Sequence, residues 1–286
     1  MKIARYMVQG GQGLGLVNAE GTSVQPLALP AGNEDAMLRV IETLLAGGNP
    51  QPAGAPIAAQ DLRFLPPIAQ PRKNVLCIGK NYAAHAAEFT KSGNAPKDVI
   101  PEYPIVFTKA PTCLNGATDD VVVPWQITQE VDYEAELGVV IGRGGRNIRR
   151  EDAWEHVFGY TVINDVTARD LQIRHKQWLL GKSIDTFCPC GPWIVTRDEV
   201  DATQLQVRCW VNDELRQDAN TRDLIFDIPA IIETISASMT LQPGDLIATG
   251  TPAGVGVGFT PPKFLKAGDV VRVEIEGVGV LRNAIR

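Results

Sequence analysis

Apolar residues along this chain recur mostly in short runs with a period near two, bounded by Gly, Pro, Asn or Asp. Such runs predict strands, and they occur at NVLCIG (74–79), PIVFTK (104–109), DVVVP (120–124), EAELGVVIG (134–142), VFGYTVIN (157–164), GPWIVT (191–196), LQVRCWVN (205–212), DLIATG (245–250) and DVVRVEIEG (269–277). Residues 2–8 and 14–19 form a further pair separated by GGQG, the pattern of a glycine-turned hairpin. Helical spacing is rarer. EDAMLRVIETLL, after a capping-type Asn33, places Met37, Val40, Ile41, Leu44 and Leu45 on one face, and NYAAHAAEF and IPAIIETISAS also read as helices. The Gly-, Pro- and Ala-rich stretch at 47–62 breaks both periods and reads as a linker. The expected organisation is a small N-terminal α/β domain over 1–65 and a larger β-rich unit over 66–286, an α+β protein whose mixed sheet is barrel-like or rolled.

Composition narrows the partners. At a net charge of −6 with 44% hydrophobic residues, the chain lacks the basic excess that phosphate backbones or anionic membranes attract. No segment reaches the ~18 uninterrupted apolar residues of a bilayer span, and MKIARYMVQG lacks the pattern of a secretory signal. A cytoplasmic protein with neither nucleic-acid nor membrane partners is expected. Five irregularly spaced cysteines suit reduced, buried thiols better than disulfides or a zinc site.

The chemistry starts at VDYEAELGVVIG. Residues two apart on a strand share a face, so Glu134 and Glu136 stand side by side, an arrangement that costs free energy unless a cation lies between them or one carboxyl is protonated. A solvent-facing strand with alternating acids fits the same pattern. Asp165, where VFGYTVIND turns into VTARDLQ, offers a third carboxylate; Asp132 and Asp170 compete for that place, Asp132 lying on the same strand face by parity. Three carboxylates without a neighbouring His or Cys suit a hard cation, Mg²⁺ or else Mn²⁺ or Ca²⁺.

His85 and Glu88 lie three apart on the helix expected over NYAAHAAEF, where the acid can orient the imidazole as a general base. A surface helix with an incidental pair fits too. His156 and His175 sit among charged residues and read as exposed or packing positions. Lys182, in LLGKSIDTFCPCGPW, could stabilise developing negative charge or be solvated surface. The glycine-rich TGTPAGVGVG (249–258) could bring backbone amides to a carboxylate, but it lacks the GK[ST] ending of a phosphate loop.

Five segments in series, GKNYAAHAAE, the EAE strand, NDVTARDLQ, GKSIDTFCPCGPW and GDLIATGTPAGVG, resemble the fumarylacetoacetate hydrolase family over roughly residues 70–286. LLGKSIDTFCPCGPW and PPKFLKAGD are most similar to its domain-containing-protein-2 branch. The resemblance implies a mixed β-sandwich roll that pairs as a homodimer, and Mg²⁺ or Mn²⁺ on Glu134, Glu136 and Asp165. It further implies His85 and Glu88 as a water-activating pair on a lid, Lys182 as the enolate stabiliser, and Arg169, Gln172 and Thr251 as substrate contacts. The segment EFTKSGNAPKDVIPEYP is longer than in compact members. The expected activity is hydrolysis of a carbon–carbon bond in a β-diketo acid of the acylpyruvate kind; oxaloacetate decarboxylation or keto–enol tautomerisation would use the same site, and a non-catalytic metal-binding protein is a third reading.

Overall fold

The computed structural model describes residues 1–9, 11–28, 36–91 and 100–286, the side chains of 89–91 excepted. Asn33, the turn residue Gly10 and most of the long segment after His85's helix lie outside the described residues. In chain order the elements are β1 (Lys2–Val8), β2 (Gly11–Val17), β3 (Ser23–Pro26), α1 (Ala36–Leu45), β4 (Ile57–Ala58), β5 (Arg63–Leu65), β6 (Val75–Gly79), α2 (Ala83–Lys91), β7 (Ile105–Lys109), β8 (Leu114–Asn115), β9 (Val131–Asp132) and β10 (Ala135–Ile141). They continue with β11 (Val157–Asn164), β12 (Thr167–Ala168), α3 (Arg169–Arg174), α4 (Leu179–Lys182), β13 (Cys188–Thr196), β14 (Gln206–Val211), β15 (Glu214–Asn220), α5 (Ile228–Ser238), β16 (Leu246–Ala248), β17 (Val270–Ile275) and β18 (Gly279–Ala284).

The main sheet has the order β4-β3-β2-β1-β13-β11-β10-β16-β6-β7, with β5 also on β1 and β8 also on β13. A second, antiparallel sheet, β15-β14-β17-β18, covers one of its faces. Strands β10 and β11 are buried at every residue, because both faces of the central sheet are covered. Alternation decides which side each residue serves. Leu137, Val139 and Ile141 pack with Val207, Val273 and Leu281 of the second sheet and with Ile231 and Ile235 of α5, whereas Val140 joins Met37 and Ile41 of α1 on the opposite face. The result is a mixed, β-rich sandwich, the architecture that the family resemblance implies.

The described residues among the first 65 join this framework. Lys2 and Ile3 pair with Val195 and Ile194 of β13, and Ile3, Leu14 and Ile41 share a core with Cys77, Phe158 and Ile163. The 47–62 stretch contributes β4, which pairs with β3. DVVVP forms an isolated bridge, Val121 with Ile285, rather than a strand. Two strands with no clear signature in the sequence, the polar β15 and the terminal β18, complete the second sheet. No helix among the described residues is long and apolar enough to cross a membrane.

Candidate active site

Register brings the three acids together. Ala135 of β10 pairs with Asn164 of β11, so Glu134, just before one strand, meets Asp165, just after the other. Asp165 N donates to Glu134 O at 2.9 Å, and Glu134 N donates to Asn164 Oδ1 at 3.1 Å, which locks the two strand ends to each other. Glu136 projects beside them from β10. One carboxylate oxygen of each, Glu134, Glu136 and Asp165, lies within 4.8 Å of the others, and all three residues are buried.

Cations surround the trio. Lys182, at the end of α4, bridges Glu134 Oε2 (2.7 Å) and Asp165 Oδ2 (2.8 Å); Arg169 reaches Glu134 Oε1 at 2.6 Å; Lys109 reaches Asp165 Oδ1 at 2.7 Å. Among the described residues Glu136 has no such ion pair; its Oε2 accepts from Gly250 N at 2.8 Å. The electrostatic consequences divide accordingly. Burial opposes ionisation of Glu134, but Lys182, Arg169 and His85 outweigh it and hold that carboxyl at about 2. Burial, with Asp165 and Glu134 as like-charged neighbours, pushes Glu136 well above the ordinary carboxyl range, relieved only in part by Lys182 and the Gly250 amide. A buried acid whose ionisation is opposed by burial and by two neighbouring carboxyl groups is where a divalent cation fits. The all-oxygen donor set suits a hard ion of the Mg²⁺ or Mn²⁺ kind.

His85 and Glu88 both lie on α2, with His85 Nδ1 3.5 Å from Glu88 Oε2. Gly254 N donates to the other oxygen, Oε1, at 2.9 Å, so the glycine-rich loop does bring a backbone amide to a carboxylate, that of Glu88. His85 faces a cavity of about 230 Å³ that Glu134, Glu136, Arg169, Lys182 and Thr251 also line. Gln172 lines it too, its Oε1 accepting from Arg169 at 3.2 Å. The Thr251 hydroxyl is already engaged, donating to Ala135 O (3.0 Å) and accepting from Gln217 (2.8 Å), so its hydroxyl holds the TGTP turn against β10. His156 Nδ1 donates to Arg143 O (2.7 Å) and His175 is exposed, both away from the cavity lining.

Two buried residues complete the arrangement. Asp132, placed by parity beside Glu134 and Glu136, is turned away by the break between β9 and β10. It accepts from Arg169 Nε (2.9 Å), Gly256 N (2.6 Å) and Val257 N (3.0 Å), and so ties the glycine loop to the arginine. Asp170 instead accepts from the Thr128 hydroxyl at 2.7 Å. Lys109, which supports Asp165, escaped the sequence reading; its one signal is a lysine closing the otherwise apolar β7. All five cysteines are free and buried; burial raises Cys190 to about 12, whereas the hydrogen bond with Cys188 lowers Cys113.

Comparison with known proteins agrees with this architecture. The chain belongs to the fumarylacetoacetate hydrolase family, whose C-terminal domain model, Fumarylacetoacetate (FAA) hydrolase C-terminal, matches residues 74–286. Within it the chain falls in the domain-containing-protein-2 branch. It is 51% identical over 226 residues to the Oxaloacetate tautomerase YisK of Bacillus subtilis, covering 79% of this chain and 73% of that protein. It is 48% identical over 228 residues to the mitochondrial Oxaloacetate tautomerase FAHD2A of Homo sapiens, covering 79% and 70%. Among solved structures, a fumarylacetoacetate hydrolase from psychrophilic Exiguobacterium antarcticum superposes with a TM-score of 0.85 at 41% identity, covering 100% of this chain and 99% of that one. A maleylpyruvate hydrolase from Sphingobium sp. SYK-6, in complex with manganese (II) ion and pyruvate, superposes with a TM-score of 0.78 at 36% identity, covering 100% and 98%.

Proposed function

We propose that this protein is a divalent-cation-dependent oxaloacetate keto–enol tautomerase. The observation that carries this reading is the position of His85, a base facing the carboxylate trio across a cavity of about 230 Å³, a size suited to a small 2-oxo acid. The tautomerase names of the B. subtilis and human relatives support it.

When bound by Glu134, Glu136 and Asp165, the cation would supply Lewis-acid stabilisation of a 2-oxo group. The chain's own residues do the rest. His85 carries the proton to or from the carbon between the carbonyl and the second carboxylate, and Glu88, fixed by Gly254 N, holds the imidazole in position. Lys182 and Arg169 place positive charge beside the oxygens on which the enolate charge develops. Trp178, edge-on to Phe107 with ring centroids 5.0 Å apart, gives the cavity an apolar wall that limits water.

A second reading is supported by the same histidine. His85, oriented by Glu88, could instead activate water to cleave an acylpyruvate, in line with the likeness to the maleylpyruvate hydrolase. The test is the decay of enol-oxaloacetate ultraviolet absorbance with Mg²⁺ and with excess chelator, beside assays of CO₂ release and acetylpyruvate consumption. Tautomerisation predicts chelator-sensitive acceleration of enol decay without CO₂ release. Unchanged enol decay with consumption of acetylpyruvate would overturn it in favour of hydrolysis; loss of CO₂ would point to decarboxylation. Homodimer formation is part of the same proposal and is read by light scattering of the purified protein.

A further inference from the structure

Two lysines that the chemistry above does not use line the same cavity. Lys80 directly follows β6, and Lys176 lies in the link between α3, which carries Arg169 and Gln172, and α4, which carries Lys182. Both hold left-handed backbone, with φ of 54° at Lys80 and 60° at Lys176, a conformation that lysine rarely adopts. Strained backbone of this kind persists where the surrounding structure imposes it, and it clusters at ligand sites. Neither ammonium has a hydrogen bond or ion pair among the described residues. The two acids lining the cavity, Glu134 and Glu136, are held at the trio by Lys182, Arg169 and the Gly250 amide. They therefore offer Lys80 and Lys176 no counter-charge.

The wall beside these lysines sets the room available. Trp178 lies over Gly79, where an added Cβ would come within 2.7 Å of the indole, and it also packs on Phe107. A 2-oxo acid whose first carboxylate and carbonyl face the trio leaves its other end to the rest of the lining, to which Trp178, Lys80 and Lys176 contribute.

We infer that Lys80 and Lys176 form a second anion subsite that receives the distal carboxylate of the substrate, making the site selective for dianionic over monoanionic 2-oxo acids. The inference rests on the proposed function for the placement of the first carboxylate, and it names the substrate class. Charge balance points the same way. Arg169 and Lys182 are already paired with Asp132, Glu134 and Asp165, so Lys80 and Lys176 add two uncompensated positive charges to the cavity lining. A dianion offsets that excess better than a monoanion does.

Oxaloacetate and 2-oxobutanoate have the same chain length and differ in the second carboxylate, so their affinity ratio isolates the subsite. It is measured by calorimetry on the full chain with Mg²⁺, in the wild type and in Lys80→Met, Lys176→Met, Lys80→Arg and Lys176→Arg. The wild type should favour oxaloacetate by about tenfold or more, the scale of a hydrogen bond to a charged group. Each Met variant should bring the ratio toward one, and each Arg variant should retain it. A ratio that stays at the wild-type value in both Met variants, or a wild type without preference, overturns the subsite. The two claims separate cleanly: a lysine-dependent preference in a protein that leaves enol decay unchanged keeps the subsite and discards the tautomerase reading, and accelerated enol decay without the preference does the reverse.

Discussion

Lys109 donates to Asp165 Oδ1 at 2.7 Å with neither side chain exposed to solvent, so one of the three candidate cation ligands is itself held by a fully buried ion pair. Burial works against the charge on this ammonium, yet Asp165 more than offsets it and raises the lysine's pKa. The carbonyls of Val166 and Lys182 accept the remaining ammonium hydrogens. Replacing Lys109 by Met leaves the buried Asp165 carboxylate with Lys182 as its remaining ion-pair partner. The expected cost is about 1–3 kcal/mol in urea unfolding without added metal, below the roughly 3–5 kcal/mol of a fully unpaired buried charge. Mg²⁺ should restore part of it, because the ion supplies charge to the same carboxylate; an unchanged unfolding midpoint would show that the pair does not support the site.

Glu136 gives the metal-free protein a definite pH dependence. Its folded pKa lies well above the ~4.3 of an unfolded glutamate, so the stability it contributes is present below that value and is lost as pH rises toward the folded one. A cation that needs the ionised carboxylate should therefore stabilise the protein more at higher pH. The Tm difference between Mg²⁺-loaded and chelator-treated protein should widen from about pH 5 to 8. In Glu136→Gln the difference should be small and flat. A constant difference in the wild type would mean that Glu136 is not the titrating ligand.

Loss of the His85 imidazole should affect turnover and spare the cation site. His85→Asn is expected to lower kcat by about 10²–10⁴-fold, the usual range for a general acid–base group. Mn²⁺ affinity should remain close to that of the wild type, since the carboxylate trio is intact. Steady-state kinetics with a parallel metal titration check both. Full activity in the variant would remove His85 from the mechanism.

Gly254 is required by geometry. It has a φ of +104°, and an added Cβ would lie 1.8 Å from the Arg216 carbonyl oxygen. Its amide is also the donor that fixes Glu88. Gly254→Ala should cost about 1–3 kcal/mol in stability and lower kcat by loosening the Glu88 carboxylate that orients His85. Denaturation and kinetics on the same preparation test the two effects together; normal values of both would show that the loop adapts without strain.

Much of this arrangement is legible in the sequence because its determinants are local. The alternation in EAELGVVIG sets the side on which Glu136 projects, and the 3.6-residue spacing of NYAAHAAEF puts His85 beside Glu88. What escapes is set by pairing across long separations. β15 reads ELRQDAN, a polar run, because it is an edge strand with one face in solvent, and its pairing with β14 is visible only in the fold. DVVVP has the composition of a strand but finds only a bridging partner at Ile285. The role of Lys109 depends on β7 lying near the turn after β11, and that of Asp132 on the break between β9 and β10. Neither feature leaves a periodic mark. The joining of β1 to β13 likewise depends on residues nearly two hundred positions apart.

The central claim is that Glu134, Glu136 and Asp165 together hold one divalent ion. Anomalous diffraction from crystals soaked in Mn²⁺ tests it most directly. The account predicts one peak per chain, with an oxygen of each of the three carboxylates at roughly 2.0–2.3 Å, near the octahedral Mg²⁺ range. A peak that excludes any of the three, or crystals without Mn²⁺ among these side chains, would contradict it.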